Sequence, residues 1–251
     1  MKGVILAGGK ATRLRPLTWV TNKHLLPVYN KPMIYYPLEA LAGAGIKDVL
    51  IITNPDHAGH FINLLRSGSD FGLKITYEIQ DSAGGIPHAI ALSEGFSGGK
   101  KLLVLLGDNI FKHNLKKAVS DFESQVAGAK VFAKRMATES RQYGVIELNE
   151  SGKVVSIEEK PASPKSDLAQ TGIYMYDNMV FETIRKLKPS ARGELEVSEL
   201  NQIYVDEGTM TCEIMEDWWV DAGTSFDELL RANAIVASEM KKLQLTEGVK
   251  K

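Results

Sequence analysis

Residues 4–15 read Val4-Ile5-Leu6-Ala7-Gly8-Gly9-Lys10-Ala11-Thr12-Arg13-Leu14-Arg15, and the reading of this stretch decides the fold. Four apolar residues in a row have the length and content of a buried parallel strand. Gly8-Gly9 ends the run where the backbone can turn sharply or approach a ligand closely, because neither residue carries a Cβ. Lys10, Arg13 and Arg15 follow, then Lys23 within Thr21-Asn22-Lys23-His24-Leu25-Leu26-Pro27, and the first acidic residue of the chain is Glu39. A strand end, a glycine turn and cations without a local counter-charge point to a polyphosphate site. Two familiar phosphate loops fail on spacing. Lys10 and Ala11 stand where a dinucleotide fingerprint needs its later glycines, and Gly9-Lys10 is followed by Ala11 instead of the Ser or Thr of a P-loop.

Working outward, Lys47–Thr53 reads as a second buried strand and Leu73–Ile79 as one with a wetter face. Leu102–Leu106 is the clearest core strand and stops at Gly107-Asp108-Asn109. Helical spacing lies between them: apolar residues at 34, 38, 41 and 42, a helix over 56–66, one from Pro87 to Phe96 after Gly84-Gly85, and a stripe at 115, 118, 119 and 122. Strands alternating with helices predict an α/β fold with an open, mostly parallel, Rossmann-like sheet flanked by helices. Ligands of such sheets sit outside the carboxyl ends of the strands, so Gly8-Gly9 and Gly107-Asp108 should share one crevice.

The second half is less regular. A strand at 130–133, a hairpin over Gly144–Glu159 turning at Asn149–Gly152, alternation at Thr171–Tyr176 and short helices at 178–187 and 196–205 are followed by a strand ending at Asp221-Ala222-Gly223-Thr224. Ser225 and Glu228 form a capping box for a terminal helix, and the polar tail 241–251 is expected to fray. With no repeat or linker, the expectation is a single domain over 1–251, one continuous sheet with an appended lobe from about residue 140.

Composition narrows the function classes. A net charge of −1 argues against a nucleic-acid partner, despite the basic start. The single Cys212 excludes an internal disulfide and a cysteine-rich metal site, and reads as a core residue. Met1-Lys2 runs straight into a strand, leaving no room for a signal peptide, and no apolar run approaches a membrane span. A soluble, cytoplasmic protein without membrane contact is expected.

Asp108 and Asp221 each sit at the mouth of a strand, where a carboxylate is either a cap or a ligand for a hard cation. Two such carboxylates suit Mg²⁺, which takes one or two protein oxygens and completes its shell from substrate phosphates and water. His57 and His60 have metal-compatible spacing but no third ligand nearby, and read as surface histidines. Lys160 lies between Ile157-Glu158-Glu159 and Pro161, at a strand end, and Arg192 lies in a loop. No Gly-x-Ser-x-Gly elbow is present, so serine-hydrolase chemistry has no support.

Leu6–Leu14 together with Asn22–Pro27 resembles the signature of the sugar-nucleotide pyrophosphorylase family. The blocks Gly84-Gly85-Ile86, Leu106–Phe111, Tyr143-Gly144-Val145, Glu158–Pro161, Thr171–Tyr174, Ser190–Glu196 and Trp219–Thr224 extend the resemblance over residues 1–235 and favour its thymidylyltransferase branch. The resemblance implies a Mg²⁺-dependent nucleotidyltransferase that joins dTTP and glucose 1-phosphate into dTDP-glucose, serving dTDP-rhamnose and polysaccharide biosynthesis. Leu6, Ala7, Gly8, Gly9, Thr12, Arg13, Lys23, Gln80, Gly85 and Asp108 would bind the nucleotide, with Gln80 and Gly85 on the thymine. Asn109, Tyr143, Gly144, Glu159, Lys160, Thr171, Tyr174 and Arg192 would bind the sugar phosphate. Asp108 and Asp221 would hold the metal, and Arg13, Lys23 and Lys160 would be catalytic. Residues 1–139 would then be mainly the nucleotide half and 140–235 mainly the sugar-phosphate half. A homo-oligomer, dimer or tetramer, is implied as well.

Three departures qualify the resemblance. Ala11 replaces a common glycine, which predicts a conventional backbone at that position. His88 replaces a common glutamine at the edge of the base site. The chain also ends sooner after its terminal helix than longer relatives do, which predicts altered feedback by dTDP-rhamnose. Two alternatives stand beside the main reading: UTP or another hexose 1-phosphate as substrate, and a non-catalytic nucleotide-sugar sensor. The joint presence of Arg13, Lys23, Asp108, Lys160 and Asp221 speaks against the sensor.

Overall fold

The computed structural model of the chain describes residues 1–136 and 140–248. The opening apolar run forms β1 (Lys2–Ala7), buried from Gly3 onward. The glycine loop follows, with 3-10 turns at Thr12–Leu14 and Lys23–Leu25, and leads into a small ladder of β2 (Pro27–Val28) and β3 (Lys31–Pro32). After α1 (Tyr35–Gly43) come β4 (Asp48–Thr53), α2 (Ala58–Leu65) and β5 (Lys74–Ile79); β1 pairs with β4 and β4 with β5, both in parallel. The helix expected from Pro87 to Phe96 is two pieces, α3 (Ile86–Ala91) and α4 (Glu94–Ser97). They part where the Ser93 hydroxyl donates to the Ile90 carbonyl at 2.6 Å, a local bond that competes with the helical ladder.

β6 (Leu102–Leu106) lies parallel on the other side of β1. Past Gly107-Asp108 the chain turns into β7 (Asn109–Phe111) and α5 (Lys116–Ser124). The second half builds β8 (Ala129–Arg135), the hairpin of β9 (Gly144–Leu148) and β10 (Val154–Glu159), and the fully buried β11 (Leu168–Tyr176). Then come α6 (Val180–Lys186), α7 (Val197–Asp206), β12 (Met210–Ile214), β13 (Trp219–Asp221) and α8 (Phe226–Gly248).

The nine-stranded sheet runs β10-β9-β11-β6-β1-β4-β5, with β8 beside β11 and β12 beside β8. Its core, β6-β1-β4-β5, is parallel, while β11 enters antiparallel to β6, so the sheet is mixed. The strands β8 to β12 of the second half are thus built into the same sheet, joined to its parallel core through β11. Alternate residues divide the core. Val4, Leu6 and Val104 face α3, α6 and α7, whereas Ile5, Ala7 and Leu105 face α1, α2 and α5. A third cluster of Val28, Met33, Ile110, Val220, Ala232 and Val236 fixes α8 against β2, β7 and β13. Half of the expected capping box forms: the Glu228 amide donates to Ser225 Oγ at 3.1 Å, while the Glu228 carboxylate accepts from Arg231 Nη1 at 2.9 Å. The tail expected to fray is helical as far as Gly248. Glu239 ties it down through Lys112 (2.7 Å) and Lys242 (2.9 Å); 249–251 lie outside the described residues.

Candidate active site

The ends of β1 and β6 do share a crevice. A cavity of about 260 Å³ is walled by Leu6, Gly8 and Gly9 from β1 and its loop, Leu106 and Asp108 from the end of β6, Lys23 and His24, Gln80 just past β5, and Gly85 and Ile86 from the start of α3. Gly9 has φ +89° and no atom within 4 Å of where a Cβ would stand, so the glycine serves the turn. Gln80 lies over Gly8, where a Cβ would stand 3.0 Å from its Oε1. His88, the departure from the family pattern, is hydrogen-bonded to Gln80 through Nδ1 at 3.0 Å and so helps set the Gln80 amide.

A second cavity, about 170 Å³, adjoins the first, with Ile86 and Leu106 common to both walls. It gathers Arg13, Asn109, Tyr143, Gly144, Glu159, Lys160, Thr171, Tyr174 and Asp221 from six segments of chain. The expected sugar-phosphate residues therefore converge, with one exception. Arg192 lines a neighbouring cavity that also contains Lys160, and its guanidinium is held by Glu196 at 2.6 and 3.2 Å. Of the nucleotide set, Ala7 and Thr12 wall neither of the first two cavities. Ala7 is fully buried, and its carbonyl accepts from Asn22 Nδ2 at 3.0 Å.

Between the two cavities sits a compact charge cluster. Lys23 Nζ donates to Asp108 Oδ2, and Asp221 is near enough to feel the charges of both. Burial raises the Asp221 carboxyl, and the Asp108 charge raises it further; the pull of Lys23 is too weak to reverse this. Burial also opposes ionisation of Asp108, but the Lys23 ammonium overrides it and holds that carboxyl below its usual range. Lys23 in turn stays protonated despite burial, through Asp108 and Asp221. The cations of the opening loop are thus not all unpartnered: Lys23 finds its counter-charge 85 residues away.

Buried Asp108 and half-buried Asp221 stand against one lysine, so the cluster turns net negative once Asp221 ionises, and their hard oxygen donors suit a divalent cation. Among the described residues no group of three His, Cys, Asp or Glu side chains could hold a metal, so the protein would supply two ligands. That donor set fits an ion that takes the rest of its shell from phosphates and water.

Ala11 adopts φ 46°, ψ 41°, a left-handed conformation in place of the expected conventional one. Its carbonyl accepts from Thr18 Oγ1 at 2.8 Å and from the Leu14 amide at 3.1 Å, and these bonds hold the residue there. Lys160 is also left-handed, at φ 45°, with its amide on the Tyr143 carbonyl at 3.1 Å. Non-glycine residues in this region cost about 1–3 kcal/mol each and persist only where the surroundings enforce them.

Some roles expected of polar residues are already taken by the protein. Asn109 Oδ1 accepts from the Gly172 amide (2.8 Å) and Trp219 Nε1 (2.7 Å), while Asn109 Nδ2 donates to Asp108 Oδ1 (3.2 Å). Thr171 Oγ1 donates to the Phe132 carbonyl at 2.9 Å. Sequence reasoning passed over Gln170, Trp219 and Glu194, all of which wall the cavities. Trp219 and Glu194 were signalled by the Trp219–Thr224 and Ser190–Glu196 blocks; Gln170 carries no local signal.

The fold and the two cavities define a nucleotide-handling transferase, and the chain belongs to the nucleotidyl transferase family, which it matches over residues 2–239. Members of that family generally use a divalent metal. The chain is 48% identical over 227 residues to the glucose-1-phosphate thymidylyltransferase of Neisseria meningitidis, covering 89% of this chain and 78% of that one. It is 45% identical over 253 residues to the enzyme of the same name from Mycolicibacterium smegmatis, covering 100% and 85%. Among solved structures, a Bacillus anthracis protein described as a glucose-1-phosphate thymidylyltransferase, in complex with sucrose, superposes with TM-score 0.89 at 47% identity over 94% of each chain. A UDP-glucose pyrophosphorylase complexed with UDP-glucose shares the fold at TM-score 0.83 and 24% identity, covering 95% and 98%.

Proposed function

We propose that this protein is a nucleotidyltransferase that forms dTDP-glucose and pyrophosphate from dTTP and glucose 1-phosphate, with Mg²⁺ held by Asp108 and Asp221. The observation that carries the reading is the Lys23–Asp108–Asp221 cluster set between two adjoining cavities. One cavity has the glycine loop and Gln80, suited to a nucleoside triphosphate; the other has Lys160, Arg13 and Glu159, suited to a phosphorylated sugar. The names of the most similar relatives support the same substrates.

A phosphate oxygen of the sugar phosphate attacks the α-phosphorus of dTTP. The bond from that phosphorus to the bridging oxygen breaks, and pyrophosphate leaves with the oxygen. The attacking phosphate is already ionised near neutral pH, so no protein base is required. Arg13 and Lys160 bring the two polyanions together against their repulsion, and Lys23 places a fixed positive charge beside the reacting phosphates. The bound metal would act as a Lewis acid on the phosphate oxygens. The backbone ties the two aspartates together: the Ala222 amide donates to the main-chain carbonyl of Asp108 at 3.0 Å, and the Gly223 amide donates to Asp221 Oδ1 at 3.3 Å.

The same reading treats 1–139 as mainly the nucleotide half and 140–235 as mainly the sugar-phosphate half of one unit, working in the cytoplasm. It also includes a homo-oligomer, dimer or tetramer, supported by Phe226 and Leu230 standing exposed on α8; light scattering after gel filtration tests the assembly. The function is tested by pyrophosphate release from dTTP and from UTP across hexose 1-phosphates, with and without Mg²⁺. The expected result is Mg²⁺-dependent turnover with dTTP and glucose 1-phosphate. Asp108→Asn should remove that turnover while the far-ultraviolet circular dichroism stays native, and near-normal turnover in this variant would overturn the metal assignment.

A further inference from the structure

We infer that Gln170 is a sugar-reading residue of the second cavity, hydrogen-bonding one ring hydroxyl of the hexose together with Glu159. The inference rests on the proposed sugar-phosphate role of that cavity. Gln170 stands on β11 just beyond the stretch paired with β6, more than nine-tenths buried, and lines the cavity wall. Its Nε2 is buried without a hydrogen-bond partner among the described residues. An amide left so has lost its bonds to water without replacement, a state that proteins rarely retain without a purpose.

The neighbours of Gln170 show what the amide faces. A Cβ at Gly144 would stand 2.7 Å from Gln170 Oε1 and 3.5 Å from Glu159 Oε2. Gln170 and Glu159 therefore close on the same bare face of Gly144, the former so tightly that a Cβ would clash with it. All three residues line the second cavity, so a hydroxyl entering it beside Gly144 meets an amide and a carboxylate as neighbours. A half-turn of the amide exchanges its ends, so that the unpaired NH₂ donates to the hydroxyl oxygen while Glu159 accepts the hydroxyl proton. Of the residues first expected to read hydroxyls, Asn109 spends its oxygen on Gly172 and Trp219 and one of its two N–H donors on Asp108, and Thr171 spends its hydroxyl proton on Phe132. Gln170 has no such commitment.

This contact is remote from the reacting phosphorus and is made equally before and during reaction. Its loss should therefore raise KM for the sugar phosphate and leave kcat and KM for dTTP unchanged. The test compares kcat/KM for glucose 1-phosphate with the 2-, 3-, 4- and 6-deoxy analogues, in the wild type and in Gln170→Met and Gln170→Asn. The wild type should lose about tenfold or more with one analogue. Gln170→Met should lose a similar factor with glucose 1-phosphate itself, yet fall no more than about twofold further with that same analogue. Equal losses in wild type and variants at all four positions would overturn the inference, as would a wild type that discriminates at none of them. If the variants fail to fold, the wild-type panel still decides on the second of these grounds, and a wild-type loss of tenfold at one hydroxyl supports the reading. A wild type that makes no nucleotide sugar from dTTP and glucose 1-phosphate would instead refute the proposed function, an outcome distinct from a flat panel in an active enzyme.

Discussion

Gly223→Ala adds one methyl group at the most crowded point of the charge cluster. A Cβ there would lie 2.1 Å from Asp108 Oδ2 and 2.7 Å from Lys23 Nζ, and real Cβ contacts do not fall below 3.0 Å. Either the carboxylate or the Gly223 backbone has to retreat by about 0.9 Å. The φ of Gly223 lies outside the left-handed region, so alanine meets no backbone penalty and the effect isolates the contact itself. Overpacking of this kind costs about 1–3 kcal/mol, and Tm falls by about 2–4 °C for each kcal/mol in a chain near this size. Displacing a ligating or positioning group by about 1 Å costs on the order of 10² in rate. The assay is pyrophosphate release at saturating dTTP and glucose 1-phosphate, paired with a thermal melt. Gly59→Ala, in the exposed part of α2 with nothing within 4 Å of its Cβ, is the control and should be neutral to stabilising by up to about 1 kcal/mol. A Gly223→Ala variant with kcat within twofold of wild type and an unchanged melt would refute the argument that Asp108 and Lys23 must stay where they are.

Ala11→Val should lower stability by about 1 kcal/mol or more, because a β-branched residue fits the left-handed region worse than alanine; Ala11→Gly should be neutral or stabilising in the same thermal melt. Asn109→Ala leaves the Gly172 amide and the Trp219 indole N–H without their acceptor, so urea denaturation should show a loss of about 2–4 kcal/mol. Burial pushes the Cys212 thiol up to about 12. Its thiolate fraction is therefore small at pH 8 and rises tenfold per pH unit towards pH 12, so iodoacetamide labelling of native protein at pH 8 should run about 10³-fold slower than labelling of denatured protein.

What the sequence made legible follows from how locally each feature is encoded. The ends of β1 and β6 were readable because buried parallel strands are unbroken apolar runs, and Gly8-Gly9 and Gly107-Asp108 end them abruptly. Their meeting in one crevice follows from the parallel arrangement alone. The break between α3 and α4 was not readable, since a serine hydroxyl in a helical pattern gives no sign that it will bond Ile90. Ala11 was misread because propensity argues against the left-handed region, whereas Thr18 and Leu14 enforce it from outside the residue. The Lys23–Asp108 pair is a long-range contact that only the closed sheet creates. Asn109 was legible as a site residue but not as one whose side-chain oxygen is spent on the scaffold. Gln170 was invisible for the converse reason: its significance lies in a bond it does not make.

Asn22 gives the glycine loop a property of another kind. Its amide nitrogen donates to the Ala7 carbonyl, and its oxygen accepts from the His24 amide at 3.0 Å. One buried side chain thereby fastens the two ends of the excursion from residue 8 to residue 21 at a common neck. The tip, where Trp19 and Val20 stand exposed, can move or change length without carrying Lys23 along. The part of the loop open to evolutionary drift is mechanically separate from the lysine that must stay on Asp108.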